Sequence, residues 1–134
     1  KNQGTLGVFS TFVKDSAIGI AGLNEKRAKD EGFEIIVGES ESPSHHPKAL
    51  PNTGNIKVKL IFSKTSRKLL GAQITGPECV GEMINTLASA IQKGMDVYEF
   101  DTLQIATHPL LTPAPTVYPI ITAAQNALIK FKNS

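Results

Sequence analysis

The residue best suited to chemistry in this chain is His108, which lies in a proline-rich stretch between Leu103 and Tyr118. Proline fixes its own φ and disfavours helix in the residue before it, so Pro109 holds His108 on a stiff, irregular backbone. Imidazole titrates near neutral pH, which suits it to proton transfer. No obvious nucleophile or carboxylate is close to His108 in the sequence. We therefore expect groups outside this chain to complete any site.

Length and composition predict one ordinary folded domain. The chain has 134 residues, 40% of them hydrophobic, and a net charge of +2. Its basic residues are scattered among acidic ones and no segment could span a bilayer, so we expect neither nucleic acid nor a membrane as partner. A single cysteine excludes an internal disulfide and predicts a cytoplasmic protein. The chain begins at Lys1 without Met, so we expect residues 1–134 to be one domain of a longer protein.

Four stretches have the β-branched and aromatic residues, or the alternation, that are typical of strands. They are residues 5–13, 33–37, 56–62 and 68–75. The last two flank a short polar segment and predict an antiparallel hairpin. Gly19 and Gly22 interrupt any strand pattern after the first stretch. Residues 40–55 contain three prolines and predict a polar loop.

Helix signals mark the remaining segments. Asn24 as the cap and Gly32 after the end predict a short helix over residues 25–31. A continuous apolar stripe predicts a long helix over residues 78–93, which Gly94 ends. Its members are Val80, Met83, Ile84, Leu87, Ala88 and Ile91.

Two further helical segments follow toward the C-terminus. Asp96 is predicted to cap a short turn that runs through Phe100. Residues 118–131 predict a last helix that is apolar on more than one face, so we expect it to be buried on two sides, one of which could be another subunit. The order of elements predicts an α+β fold, with helices packed against an antiparallel sheet.

Four segments in this order resemble the C-terminal dimerisation domain of the pyridine nucleotide-disulphide oxidoreductase family. Gly22-Leu23-Asn24-Glu25-Lys26-Arg27-Ala28 resembles the family's Gly-Leu-Thr-Glu-x-x-Ala, and residues 68–77 resemble its Leu-Gly-(four residues)-Gly segment. Glu82-Met83-Ile84 and the helix through residues 87–91 follow at the family spacing. His108-Pro109 falls where the family keeps its His-Pro.

The resemblance implies a role within a larger flavoprotein. The chain would form the homodimer interface of an FAD-dependent NAD(P)H disulfide reductase, with FAD and NAD(P) held by preceding domains of the same parent and none bound to this chain alone. His108 would reach the partner's redox thiols as a general acid/base, with His108 and Pro109 near the partner's flavin. Thiolates are the reactive species, and an adjacent imidazolium stabilises them. The isolated chain would be inactive.

The resemblance leaves two alternatives open for the chemistry. Glutathione reductase-like members have an orienting Glu five residues after the His, whereas this chain has Pro113. Residues 87–95 resemble the coenzyme A disulfide reductase and NADH oxidase branch, whose members typically use a Tyr from the partner's C-terminal domain, and Tyr118 is a candidate counterpart. The second hypothesis is a purely structural dimerisation module, in which His108 only packs.

Three other features are interpreted as structural. Cys79 lies at a helix N-terminus, where a thiol pKa can fall, but it has no partner cysteine. His45 and His46 lack acidic or Cys partners in sequence, so we expect an exposed loop and no metal site. Gly71 and Gly76 lie in a hairpin and not ahead of a helix in a βαβ unit, so strand geometry explains them better than phosphate binding.

Overall fold

A computed structural model of the chain describes residues 4–51 and 53–134. Its regular elements, in chain order, are β1 (Val8–Val13), β2 (Ser16–Gly22), α1 (Glu25–Asp30), β3 (Ile35–Pro43), β4 (Asn55–Ser63), β5 (Leu69–Gly76), α2 (Val80–Lys93), α3 (Val97–Asp101) and α4 (Pro119–Lys132). A short 3₁₀ turn, Pro115–Val117, precedes α4. The five strands form one antiparallel sheet in the order β1-β2-β5-β4-β3. The predicted α+β fold is confirmed.

The helix caps and the central hairpin agree with the sequence patterns. Asn24 Oδ1 accepts the Arg27 amide N–H at 2.8 Å, and Gly32 follows α1 with a φ of 90°. Gly94 ends α2 in the left-handed region, and Asp96 begins α3 with a reciprocal capping box. Strands β4 and β5 pair as the predicted hairpin. These signals act within a few residues, which is why sequence alone predicted them.

The expectation that Gly19 and Gly22 break the strand pattern was wrong. Strand β2 runs through Gly19 to Gly22 and pairs with both β1 and β5. A Cβ at Gly19 would lie 2.7 Å from Ile84 Cβ, so the missing side chain is what lets α2 approach the sheet. Close packing of a helix, and not the end of a strand, explains this glycine.

The predicted polar loop over residues 40–55 was also wrong at both ends. Strand β3 continues to Pro43, and β4 begins at Asn55, directly opposite it. The inward positions of β3 are the small residues Gly38, Ser40 and Ser42, which do not produce the apolar alternation that marks a half-buried strand. Among the described residues, the irregular connection is therefore limited to residues 44–51, 53 and 54.

Helices α2 and α4 pack on one face of the sheet. The main core lies between these helices and the sheet. Phe62 lies at its centre, with ring centroids 5.9 Å from Phe100 and 6.4 Å from Phe131 in edge-to-face geometry. Ile61 and Ala28 are fully buried outside this cluster. Because α1 lies over the opposite face, where Glu25 bonds Lys59, it accounts for the apolar Ile61 that interrupts the β4 pattern.

Helix α4 is covered on two sides by its own chain. It packs against β3 and β4 on one side and against α3 on another. This packing accounts for much of its apolar circumference without a second subunit. Ile129 remains 59% exposed on the outer side. Within residues 4–51 and 53–134, no helix is long and apolar enough to cross a membrane.

Gly38 is expected to be essential for seating α4. A Cβ there would clash with the Ala123 carbonyl oxygen and lie 2.8 Å from Ala127 Cβ. Gly38→Ala should lower the free energy of unfolding by about 2 kcal/mol or more, because overpacking forces the helix away from the strand. Urea unfolding monitored by circular dichroism measures this change.

Gly81→Ala is the matched control for that substitution. Gly81 lies within α2, and a Cβ there meets no atom within 4 Å. This change should raise the free energy of unfolding by about 0.5–1 kcal/mol, since alanine favours helix over glycine. A Gly38→Ala variant as stable as the wild type would contradict the close-packing explanation.

Candidate functional site

The loop between α3 and α4 presents His108 on a closed turn. The His108 carbonyl oxygen accepts the amide N–H groups of Leu111 and Thr112, each at 3.0 Å. Thr112 Oγ1 in return accepts the His108 amide N–H at 3.0 Å. These hydrogen bonds tie residues 108–112 to one another. Pro113, just after the turn, is buried and anchors it to the body of the domain.

The imidazole of His108 is exposed and is oriented by its own backbone. Its Nδ1 atom accepts the amide N–H of Leu110 at 3.1 Å. Among the described residues, no carboxylate bonds or pairs with His108, and Pro113 occupies the position five residues on.

The fold brings a second histidine to this loop, which sequence reasoning missed. A cavity of about 170 Å³ has His46, from the β3–β4 connection, and His108 in its wall. The other lining residues are Thr107, Pro109, Thr112, Pro113, Ala114 and Pro115. The sequence predicted an exposed loop at His45 and His46. His46 is indeed exposed, but it also lines a cavity together with His108, which the sequence did not predict. No local signal connects residues 62 positions apart, so only tertiary structure could show this.

Tyr118, the other candidate, does not line this cavity. It is half-buried against the main core, and its carbonyl oxygen accepts the Thr122 amide N–H at 2.9 Å at the start of α4. Burial, with a smaller contribution from nearby Cys79, raises the pKa of the Tyr118 phenol. The phenol is therefore protonated at neutral pH.

Cys79 and His45 border a separate groove near the start of α2. Cys79 is exposed at the surface, but partial desolvation by its surroundings raises the pKa of the thiol, so the helix start does not activate it. His45 Nδ1 lies 2.9 Å from the hydroxyl of Ser44, which is buried and also accepts the Gly54 amide N–H. The part of the chain that the structure describes contains no group of three His, Cys, Asp or Glu residues able to hold a metal ion.

The described residues do not fit a bound dinucleotide. Gly71 lies within β5, where a Cβ would clash with the Leu23 carbonyl oxygen, so close backbone packing explains it. Glu78 and Glu82 lie at the start of α2, and their carboxylates would repel a phosphate there.

The groove on the open face of the sheet is lined by charges that neutralise one another. Lys59 Nζ lies 2.8 Å from Glu25 and 3.5 Å from Glu39, and Lys57 lies 3.9 Å from Glu41. The hydrogen bond to Lys59 lowers the pKa of Glu25, and the same bond raises the pKa of Lys59. Because the lysines and glutamates of this groove face one another on neighbouring strands, their charges largely cancel and would attract a charged ligand only weakly. His108 and its loop therefore remain the stronger candidate site.

Comparison with known proteins supports one assignment for the chain. The family model described as "Pyridine nucleotide-disulphide oxidoreductase, dimerisation domain" matches residues 8–117. Dihydrolipoyl dehydrogenase 3 of Haloarcula marismortui is 33% identical over 113 residues, which are 84% of this chain and 22% of that protein. An NADH oxidase of Methanocaldococcus jannaschii is 30% identical over 122 residues, 90% of this chain and 26% of that protein.

Two solved structures share the fold over almost the whole chain. An NAD-dependent persulfide reductase from A. fulgidus superposes with a TM-score of 0.86 at 33% identity, covering 97% of this chain and 24% of that one. The reduced Bacillus anthracis protein CoADR-RHD superposes with a TM-score of 0.88 at 29% identity, covering 98% and 23%. This chain thus spans only about a quarter of the length of these proteins.

The raised pKa of Cys79 predicts a slow thiol. The pH midpoint of its alkylation by iodoacetamide should lie above that of the same cysteine in the urea-unfolded chain, because burial disfavours the thiolate. At pH 8 the folded chain should therefore react more slowly with iodoacetamide than the urea-unfolded chain. A midpoint below that of the unfolded chain would instead indicate activation by the start of α2.

Proposed function

Because this chain belongs to the pyridine nucleotide-disulphide oxidoreductase family as a dimerisation domain, we propose that it forms the subunit interface of a homodimeric flavoprotein. Residues 1–134 would be one domain of a parent that also binds FAD and NAD(P). The relatives with which it aligns are about four times longer, which supports additional domains in the parent. Within that parent, the His108 loop would enter the active site of the partner subunit.

The observation that carries this proposal is the surface around His108. Leu110 is 63% exposed and Leu111 is 71% exposed, directly after the His-Pro pair. Large apolar side chains concentrated on a rigid exposed loop mark a contact with another protein surface. Contact with the partner subunit would bury both leucines. The same contact would bring the imidazole of His108 into the partner's active site.

His108 would there serve the redox thiols. When a disulfide is reduced, each sulfur is released as a thiolate, and an imidazolium close to it can donate a proton to sulfur and become neutral imidazole. The exposure of the His108 side chain allows such an approach, and the closed 108–112 turn limits the conformational entropy lost on docking. His108 and Pro109 would then lie close to the flavin of the partner.

The second candidate is a purely structural dimerisation module, within an NADH oxidase-like or coenzyme A disulfide reductase-like parent. The observation that favours it is Pro113, which is buried where an orienting Glu would stand. Without that carboxylate the imidazole is a poorer base. In this candidate no side chain of this domain would take part in the chemistry. Tyr118, whose phenol is protonated at neutral pH, would be a separate catalytic candidate in a coenzyme A disulfide reductase-like parent.

Substitution of His108 in the full-length parent separates the two candidates. His108→Ala should lower turnover of a thiol or disulfide substrate by about 10²-fold or more, because a general acid/base contributes that much. FAD content and dimer mass should stay unchanged. His45→Ala is the matched control, since His45 borders a different groove, and its turnover should equal that of the wild type. Full activity of His108→Ala would favour the structural module.

Self-association of the chain should depend on the outer side of α4. At high concentration the chain should sediment as a dimer, and Ile129→Glu should shift it toward monomer by burying a charge in the interface. Phe12→Glu is the control, because Phe12 is similarly exposed, at 57%, on the opposite edge of the sheet. Dissociation by Phe12→Glu alone would instead locate the interface at β1.

A further inference from the structure

We propose that the backbone amide of Leu110 holds neutral His108 in the tautomer that carries its proton on Nε2. The imidazole then meets its target as a hydrogen-bond donor to an anionic sulfur, and not as a base. The identity of that target rests on the proposed function, whereas the tautomer depends only on this chain.

The tautomer follows from which atoms can donate. Leu110 N–H lies 3.1 Å from His108 Nδ1, and a backbone amide N–H has a proton to give and no lone pair to offer. Nδ1 must therefore provide its lone pair. Neutral imidazole has one N–H in all, so the remaining proton is on Nε2.

The turn keeps this amide in place. His108 accepts the next two amides, of Leu111 and Thr112, on its carbonyl oxygen, and Thr112 Oγ1 accepts the His108 amide. Pro109 fixes φ between His108 and Leu110. The Leu110 N–H is thus directed at the ring by covalent geometry and three surrounding hydrogen bonds, and not by a flexible side chain.

A carboxylate partner would have the opposite effect. A Glu at Nδ1 accepts a hydrogen bond from an Nδ1–H, which keeps the proton on Nδ1 and leaves the Nε2 lone pair free, so that the ring can act as a base. Here Pro113 replaces that residue, and the cavity wall beside His108 carries threonines, prolines, an alanine and the imidazole of His46 but no carboxylate. Nothing on the described part of the loop favours the Nδ1–H form.

The consequence is a defined role for Nε2. Within residues 4–51 and 53–134, hydrogen bonding to the ring involves Nδ1, so the Nε2–H is available to a group from outside. If the ring took up a second proton, the proton would add at Nδ1, and the resulting Nδ1–H would face the Leu110 N–H. Proton uptake therefore requires loss of the Leu110 hydrogen bond, whereas donation of a hydrogen bond to a thiolate requires no change.

Nitrogen NMR of this chain tests the tautomer. At a pH where His108 is neutral, the ¹⁵N shifts should report a bare Nδ1 and a protonated Nε2, with a ¹⁵N–¹⁵N coupling between Leu110 N and His108 Nδ1. Leu110→Pro removes the amide proton and should abolish the coupling and populate the Nδ1–H form. Leu110→Ala keeps the amide and should match the wild type. A protonated Nδ1 in the neutral wild-type ring would overturn the assignment.

Amide isosteres in the full-length parent test the donor role. The side-chain nitrogen of Gln can occupy the position of Nε2, and that of Asn the position of Nδ1. His108→Gln should retain turnover within about tenfold of wild type, whereas His108→Asn and His108→Ala should lose about 10²-fold. The pH midpoint for alkylation of the parent's redox thiol should be unchanged in His108→Gln and raised in His108→Ala, since the donor stabilises the thiolate.

The outcomes distinguish this inference from the proposed function. Equal losses in the Gln and Ala variants would overturn the donor role while supporting an acid/base function for His108. Full activity in His108→Ala would overturn the proposed function and the donor role together, and the NMR measurement would still decide the tautomer. Near wild-type turnover in His108→Gln, with a pH midpoint for thiol alkylation equal to that of the wild type, supports both the donor role and the proposed function.

Discussion

The close contact between α4 and β3 is the interaction on which the rest of the structure depends. Gly38 and the alanines at 123 and 127 let the helix backbone lie directly on the strand, with no room for one more methyl group. The Ser40 hydroxyl donates to the Pro119 carbonyl oxygen at 2.6 Å and so fixes where α4 begins. Since α3 packs against α4, both ends of the His108 loop are held by this one contact.

The same contact makes the two edges of the sheet unequal. At the β3 edge, the Glu39 amide donates to Asn126 Oδ1 at 3.0 Å, and Lys130 Nζ donates to the Val37 carbonyl oxygen at 2.6 Å. Side chains of α4 thereby satisfy backbone groups that an edge strand leaves unpaired. Strand β1, at the other edge, is exposed along its whole length and carries apolar side chains. Among the residues that the structure describes, only those at the β3 edge have this protection.

Backbone chemistry explains how an irregular loop can present an oriented imidazole. A loop usually orients a histidine by a second side chain, which must itself be fixed by packing. Here the Leu110 amide does so through a contact two residues away, inside a turn closed by Thr112. The domain thus supplies an oriented ring and two exposed leucines, and in the function that we propose the groups that complete the site belong to other parts of a parent dimer.

The sequence by itself determined the features that depend on neighbouring residues: the caps at Asn24, Gly94 and Asp96, the β4–β5 hairpin, the long helix and the ordered motifs of the family. Strand β2, the inward-facing serines of β3 and the buried Ile61 were decided by what packs on them across the sheet. The approach of His46 to the His108 loop was decided in the same way. Caps and periodicity are local, because hydrogen bonds within a helix or hairpin join residues a few positions apart. Close approach and shared cavities join residues far apart in the chain, so only the tertiary structure could decide them.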